Sequence, residues 1–391
     1  VIAAVLGLSL RAVTSIADDS MDRPKAIFSV VAWSWVGCVL IGMLPYLFAG
    51  VFPWSRIDNA LFETISGFST TGSTVLRDIE ATSSGILFWR QLTQWYGGMG
   101  IIVLAVTVLP SLGVGGLQLM TAESPGHESD KLRARSIDTA KSLWLVYFGV
   151  TITIALLLWA TPNVGLYDAV AHGLSTAAIG GFSTKNGSIG SFDSYIVELI
   201  IVFGMFIGAM NYNLQYKFWK SKGNFRVFTR SSEWKLYVRI TLSFIGVIFL
   251  MNWLMESVDV GTAFRDSLFN VVTLASSTGF GNVRPDGIGN FVLWGTGSQL
   301  LLLFLMTVGG TFGSTAGGMK IFRMQIGFKA LSRELKLIRR PNGEYPIKVG
   351  KEKIEEKVVA SILGFIALFI SLVIIGTVSL TFFFNEDLVT A

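Results

Sequence analysis

Charge is scarce in this chain of 391 residues: Asp, Glu, Lys and Arg make up 15%, against about 25% in soluble domains. With 51% hydrophobic residues and a mean hydropathy of +0.59, that shortage argues against a cytosolic enzyme. Cysteine is nearly absent. The one residue, Cys38 in an apolar run, excludes an internal disulfide and a cysteine metal cluster and reads as a small core hydrophobe. Histidine is almost as rare, with His127 in a loop and His172 inside a short helix. An intramembrane enzyme needs a nucleophile and base, or a metal set, facing each other at depth. Two histidines without partners do not supply one, so the chain reads as no enzyme, and His172 as a packed helix residue. The chain also lacks an initiator Met and a signal peptide. Residues 1–10 are apolar over only half a span and read as the tail of an amino-terminal helix.

What is plentiful is apolar sequence in blocks of about 20 residues, the length one helix needs to cross a bilayer. Such stretches lie at 27–50, 86–112, 143–160, 195–216, 236–255, 291–321 and 358–384. Between the first and second, third and fourth, and fifth and sixth lie shorter pieces: IDNALFETISGFSTTGST (57–74), LYDAVAHGLSTAAIGGFST (166–184) and FRDSLFNVVTLASSTGFGN (264–282). A dozen helical residues rise only about 18 Å, too little for a core of about 30 Å. These pieces therefore enter and leave by one face. Each begins with an acid (Asp58, Asp168, Asp266) and ends in a cluster of small residues with one singled-out glycine (Gly72, Gly180, Gly279). The unit of span, re-entrant piece and span repeats about every hundred residues. The expected fold is an all-α integral membrane protein, with repeated helix, pore-loop, helix units in pseudo-fourfold arrangement around one pore. Its expected divisions are an amino-terminal remnant (1–26), pore repeats one (27–120), two (121–235) and three (236–357), and the start of a fourth (358–391). Asn385, Glu386 and Asp387 match the opening of a fourth re-entrant piece, whose glycine would fall near 399–401. The chain thus reads as a piece cut at both ends.

Basic residues set the orientation. Of 31 Lys and Arg, 25 lie in four segments on one side of this topology and 6 on the other, which makes the first side cytoplasmic. The re-entrant pieces then open outward. Acids divide evenly, leaving the inner face at +12 and the outer at −7.

A short helix descending from outside aims the negative end of its macrodipole into the membrane, where it favours a cation. The irregular segment after it is tolerated at that depth only if it lines a watery cavity or is buried in protein. One glycine per repeat lets successive carbonyls turn the same way, and rings of carbonyls replace the water shell of a dehydrated alkali cation. Candidate filter walls are Thr70, Thr71 and Gly72, with Ser69 before them; Ala178, Ile179 and Gly180; and Ser277, Thr278 and Gly279. Ala178 and Ile179 carry no hydroxyl, so backbone carbonyls must form the site. A second signal is TVGGTFGSTAGG (307–318), five glycines in twelve residues inside an apolar span. At roughly 1 kcal/mol per glycine relative to alanine, this predicts a broken helix beneath the filter, a natural gate.

The motifs FETISGFSTTGSTV, WYGGMGIIVLAVTVLP followed by GVGGLQL, GGFSTKNGSIG and RELKLIRRPNGEYPIKV resemble the Trk-type potassium transporters, the channel-like subunits of the bacterial Trk system within the Trk/Ktr/HKT superfamily. The resemblance covers essentially the whole chain. It implies potassium as the transported substrate, no organic cofactor, a homodimer in the bacterial inner membrane among lipid, and a cytosolic nucleotide-binding regulatory subunit; it implies no nucleic acid. In such proteins the glycine-rich segment is an intramembrane loop that obstructs the pore. Carried over here, Gly309, Gly310, Gly313, Ser314, Gly317 and Gly318 are gate candidates, with Lys320 and Arg323 at the cytoplasmic end. The basic segment 333–357 becomes a candidate docking site for the cytosolic partner. A sodium-permeable or cation–proton symporting member of the superfamily is the alternative.

Overall fold

The computed structural model describes residues 24–107, 129–255, 258–350 and 352–384. The amino-terminal remnant, His127, the GVGG stretch and Asn385 to Asp387 lie outside the described residues. Helix dominates, and three successive groups of helices repeat one plan. The first is α1 (Pro24–Gly42) with the short α2 (Leu44–Phe48), then α3 (Ile57–Phe68) and α4 (Ser84–Thr107). The second is α5 (Ser129–Trp159), α6 (Leu166–Ala178), α7 (Tyr195–Gly208) and α8 (Tyr212–Lys220). After α9 (Arg226–Arg230), the third is α10 (Ser232–Met255), α11 (Val260–Ala275), α12 (Thr296–Val308) and α13 (Ile321–Arg339). A small antiparallel hairpin, β1 (Lys348–Val349) with β2 (Glu352–Lys353), then leads into α14 (Glu356–Phe384).

The pieces expected to be re-entrant are the short helices α3, α6 and α11, of 12, 13 and 16 residues. At 1.5 Å per residue they rise about 18 to 24 Å, less than the bilayer core. Asp259 starts α11 by accepting hydrogen bonds at Oδ2 from the Gly261 and Thr262 amides, satisfying donors that a first helical turn leaves free.

Two of the seven apolar stretches are not straight spans. The stretch 195–216 is two helices, α7 and α8, bent by 96°. Asn211 lies at the corner, its Oδ1 accepting from the Asn213 and Leu214 amides to start α8. The stretch 291–321 stops as helix at Val308 and resumes only at Ile321, as the glycines predict. Among the described residues four helices are long and apolar enough to cross a membrane, five if the bent pair counts as one span. Helix α4 is equally long but turns Arg90, Gln91, Thr93 and Gln94, all fully buried, toward the interior.

The main core lies where α5, α6, α7, α11 and α12 meet, around Tyr147, Ile201, Phe269, Val271 and Leu302. The flank of α14, by contrast, leaves Leu368, Leu372, Ile375 and Val378 more than half exposed, as a lipid-facing helix does. The base of α14 packs on α13 and the hairpin through Ile326, Ile347, Ile354 and Val359. The segment 333–357 is thus partly folded rather than an open loop.

Candidate functional site

Each short helix ends in the same turn. In α3 the Thr70 amide donates to the Gly67 carbonyl and the Thr71 amide to that of Ser66, at 3.0 Å each. In α6 the pairs are Ile179 to Thr176 (3.1 Å) and Gly180 to Ser175 (2.9 Å), and in α11 Ser277 to Leu274 (3.0 Å) and Thr278 to Thr273 (2.8 Å). This is the bond pattern of a Schellman cap, which needs a residue in the left-handed region just past the helix. Thr70, Ile179 and Ser277 occupy it at φ 57°, 56° and 58°. None is glycine, so each strains the backbone at a matching place.

Two residues further on the backbone is left-handed again: Gly72 at φ 80°, Gly181 at 79° and Gly279 at 81°. Superposing the three turns by these angles corrects the sequence reading by one residue in the second repeat. Gly180 matches Thr71 and Thr278, and Gly181 is the glycine equivalent to Gly72 and Gly279. The two adjacent glycines of AIGGF are indistinguishable by composition; the cap bond from the Gly180 amide, which fixes the phase, is a backbone feature.

The segments abut in order. A Cβ on Gly72 would be driven into the Gly180 carbonyl oxygen, and one on Gly181 into that of Thr278. Glycine is required at both places by φ and by this approach. At the third, Gly279 is exposed with nothing within 4 Å of such a Cβ, and Ser69 and Thr71 are exposed at the other end of the arc. Thr70, Ala178, Ile179, Gly180 and Thr278 are buried and Ser277 half-buried.

Buried polar groups fix each segment from behind. In the first repeat Glu63 accepts from Thr74 Oγ1, the Val75 amide and, at 2.7 Å, Arg90 Nε. Arg90 Nη1 donates across to the Ser183 carbonyl in the second segment, and its guanidinium lies 4.0 Å from the Phe182 ring centre. In the second, Thr184 donates to Asp168 while His172 bonds the Asp168 carbonyl and Ser183 Oγ, both at 2.8 Å. His172 is a fully partnered packed residue. In the third, Asp266 accepts from Arg284 (2.7 Å) and Asn282 (3.0 Å). Asp58, expected to parallel Asp168 and Asp266, instead sits exposed with Arg56; Glu63, five residues later, takes the bracing role.

Below this arc runs the glycine-rich loop. Its neck is closed by backbone bonds from Met319 to Thr307 (2.9 Å) and from Lys320 to Val308 (3.0 Å). Gly309, Gly313 and Gly318 take φ of 71°, 72° and 75°. Gly309 lies against the backbone of Gly317 and Gly318, and Gly310 against Ala209. Ser314 Oγ donates to the Thr311 carbonyl, and Lys320 Nζ to the carbonyls of Ser314 and Ala316. Two contacts reach the arc: the Gly317 amide donates to Ser277 Oγ at 2.6 Å, and Thr315 Oγ1 to the Ala177 carbonyl at 3.3 Å. The bend between α7 and α8 is a further partner of the loop, since Thr311 donates from N and Oγ1 to the Ala209 carbonyl while the Tyr212 amide donates to Gly313, and α10 is another, where Glu233 Oε1 accepts from the Phe312 amide. Sequence reading missed this bend; its signal was Asn211, a helix-starting residue, three places after Gly208.

A family model described as TrkH, cation transport protein, matches residues 2–385. The Trk system potassium uptake protein TrkH of Salmonella typhimurium is 38% identical over 92% of this chain and 72% of its own length. TrkG, a Trk system potassium uptake protein of Escherichia coli, is 32% identical over 89% of this chain and 70% of its own length. The crystal structure of the potassium transporter TrkH from Vibrio parahaemolyticus superposes with a TM-score of 0.83 at 33% identity, covering 94% of this chain and 74% of that one. With a family model across nearly its whole length and a solved relative of the same helical plan, the chain belongs to the TrkH family of cation transport proteins.

Proposed function

We propose that this chain carries potassium across the bacterial inner membrane through a filter built from the three turns after α3, α6 and α11. The carrying observation is the repeated pair of left-handed residues, with Gly72 and Gly181 each pressed against the next segment's carbonyl. Backbone held that way presents carbonyl oxygens instead of side chains to an ion, which suits a dehydrated alkali cation. The walls are Thr70, Thr71 and Gly72; Ala178, Ile179 and Gly180 with Gly181 added; and Ser277, Thr278 and Gly279. The relatives named as potassium uptake proteins support the choice of ion. The membrane potential supplies about 2.3 kcal/mol per charge per 100 mV, so uptake requires no bond chemistry on the protein.

The loop from Gly309 to Lys320 is the gate in this reading. Gly309, Gly313 and Gly318 shape it, Gly310 and Gly317 let it pack close, and Ser314 ties it to itself. A cytosolic nucleotide-binding subunit and a second copy of the chain are the proposed partners, the former docking on the face that carries α13 and the hairpin. In the full-length protein, Gly72→Ser is expected to weaken the preference for potassium over sodium in a rubidium-uptake assay with sodium as competitor. Unchanged preference would overturn the filter assignment.

A further inference from the structure

The three turns are alike in backbone and unlike in one set of side-chain bonds. In the first, Ser69 Oγ and Thr71 Oγ1 lie 2.7 Å apart, and Ser69 Oγ also donates to the Ile65 carbonyl. In the third, Ser276 Oγ and Thr278 Oγ1 lie 2.6 Å apart, and Ser276 Oγ donates to the Val272 carbonyl. A hydroxyl pair thus straddles the strained left-handed residue, Thr70 or Ser277, and ties the following residue to the helix end. The second turn has Ala178 and Gly180 at these positions and cannot make the pair.

What stands there instead is Gln94, fully buried on α4 of the first repeat. Its Nε2 donates to the Gly180 carbonyl at 2.5 Å, and its Oε1 accepts from Ser175 Oγ at 2.7 Å and from the Phe182 amide at 3.3 Å. Chemistry fixes this orientation of the carboxamide, because a carbonyl can only accept and a backbone amide can only donate. The amide therefore grips the second turn at the helix, at the filter carbonyl and just beyond Gly181. A Cβ on Gly180 would collide with the Gln94 carboxamide, although Gly180 is not among the positive-φ residues. Glycine at 180 serves to make room for Gln94, not to supply a backbone angle.

We propose that Gln94 is a positioning residue for the second filter segment, doing from the neighbouring repeat what the Ser and Thr hydroxyl pairs do within the first and third. This rests on the filter reading above. The bonded carbonyl is the one packed against Gly72, so the first repeat holds it from two sides and the turns are cross-linked. A carbonyl has two lone pairs, and one engaged by Gln94 leaves the other for an ion.

The test compares potassium and sodium flux in proteoliposomes holding the full-length protein. Gln94→Ala is expected to lower the potassium-to-sodium ratio about fivefold, the size of one lost hydrogen bond, and Gln94→Met, which keeps the volume, to do the same. Adding Ala178→Ser and Gly180→Thr to Gln94→Ala rebuilds the hydroxyl pair in the space vacated, and should return the ratio to within about twofold of the parent. A ratio unchanged in both Gln94→Ala and Gln94→Met overturns the proposal. So does a triple variant that melts at the parent temperature yet discriminates no better than Gln94→Ala. Gly72→Ser is the control: if it lowers the ratio and the Gln94 variants do not, the filter reading stands and only the role of Gln94 falls.

Discussion

Gly180 and Gly181 sit side by side for different reasons, and single substitutions separate them. Gly181 needs its left-handed φ and faces the Thr278 carbonyl, so Gly181→Ala combines a backbone cost of roughly 1 to 2 kcal/mol with a clash against backbone that cannot move aside. Potassium selectivity should collapse, and truncating neighbouring side chains should not restore it. The nearest atoms that Gly180→Ala meets all belong to the Gln94 side chain, so its defect should be relieved by Gln94→Ala; flux ratios for the two singles and the double check this. The bracing pair gives a stability prediction of the same kind. Glu63 and Arg90 are both wholly buried, and removing one partner strands the other charge, at a cost of roughly 3 to 5 kcal/mol. Glu63→Ala should therefore lower the detergent melting temperature sharply, and Glu63→Ala with Arg90→Met should be milder than the sum of the two singles. Much of this site was legible in the residues. Three clusters after three short helices located the turns. The phase within AIGGF was not, nor was the exchange of Asp58 for Glu63, because both depend on which backbone or side-chain atom a tertiary contact selects.

At the scale of elements, the broken α12 was readable from five glycines in a row of twelve, while the bent α7 and α8 hid inside an unbroken apolar run. A helix propensity sums only local terms, and here the two breaks satisfy each other: each frees backbone groups that the other bonds, through Thr311 with Ala209 and Tyr212 with Gly313. The loop is thus held by the second repeat as well as by its own neck. Loosening that attachment without touching glycine should favour whatever conformation leaves the pore clear. Thr315→Val removes the one hydroxyl donor shared between the Ala177 and Gly208 carbonyls at nearly constant volume, and Thr311→Val removes the side-chain share of the bond to Ala209. The double variant should raise rubidium flux several-fold, on the scale of two modest hydrogen bonds at roughly 1 kcal/mol each, with selectivity held because no residue of the turns is replaced and Tyr212 Oη still donates to the Ala177 carbonyl. Flux at or below the parent level would show that the loop does not limit conduction.

Across the whole molecule, the even split of acids hides a difference in how they are used. On the face holding the mouth of the arc, Glu63, Glu198 and Asp266 are buried against Arg90, Arg265 and Arg284, so those bases are spent on structure. Asp58, Asp78, Glu80, Asp193, Asp259 and Asp286 stay exposed, with Arg56 and Arg77 exposed and Lys185 half-buried to oppose them. Folding therefore leaves the net acidity of this side as the sequence assigns it, since each buried pair removes one charge of each sign, but it ties half of the side's six bases to acids and leaves most of its described acids exposed at the surface. A cleft lined by one sign of charge raises the local concentration of counter-ions, and salt screens the effect over about 10 Å at 0.1 M. Replacing Glu80, Asp193 and Asp286 together by their amides should lower potassium flux several-fold at about 10 mM ionic strength, where the screening length is near 30 Å, and leave it close to parental near 1 M, where it is about 3 Å. Among the described residues no hydrogen bond or ion pair joins these three to the filter turns, Asp193 facing Arg265 at 4.0 Å instead, so the potassium-to-sodium ratio should hold at every salt concentration. A loss of flux that persists at high salt would mean that these carboxylates act on the pore directly, and an absence of any loss at low salt would mean that the acidic mouth does not gather the transported ion.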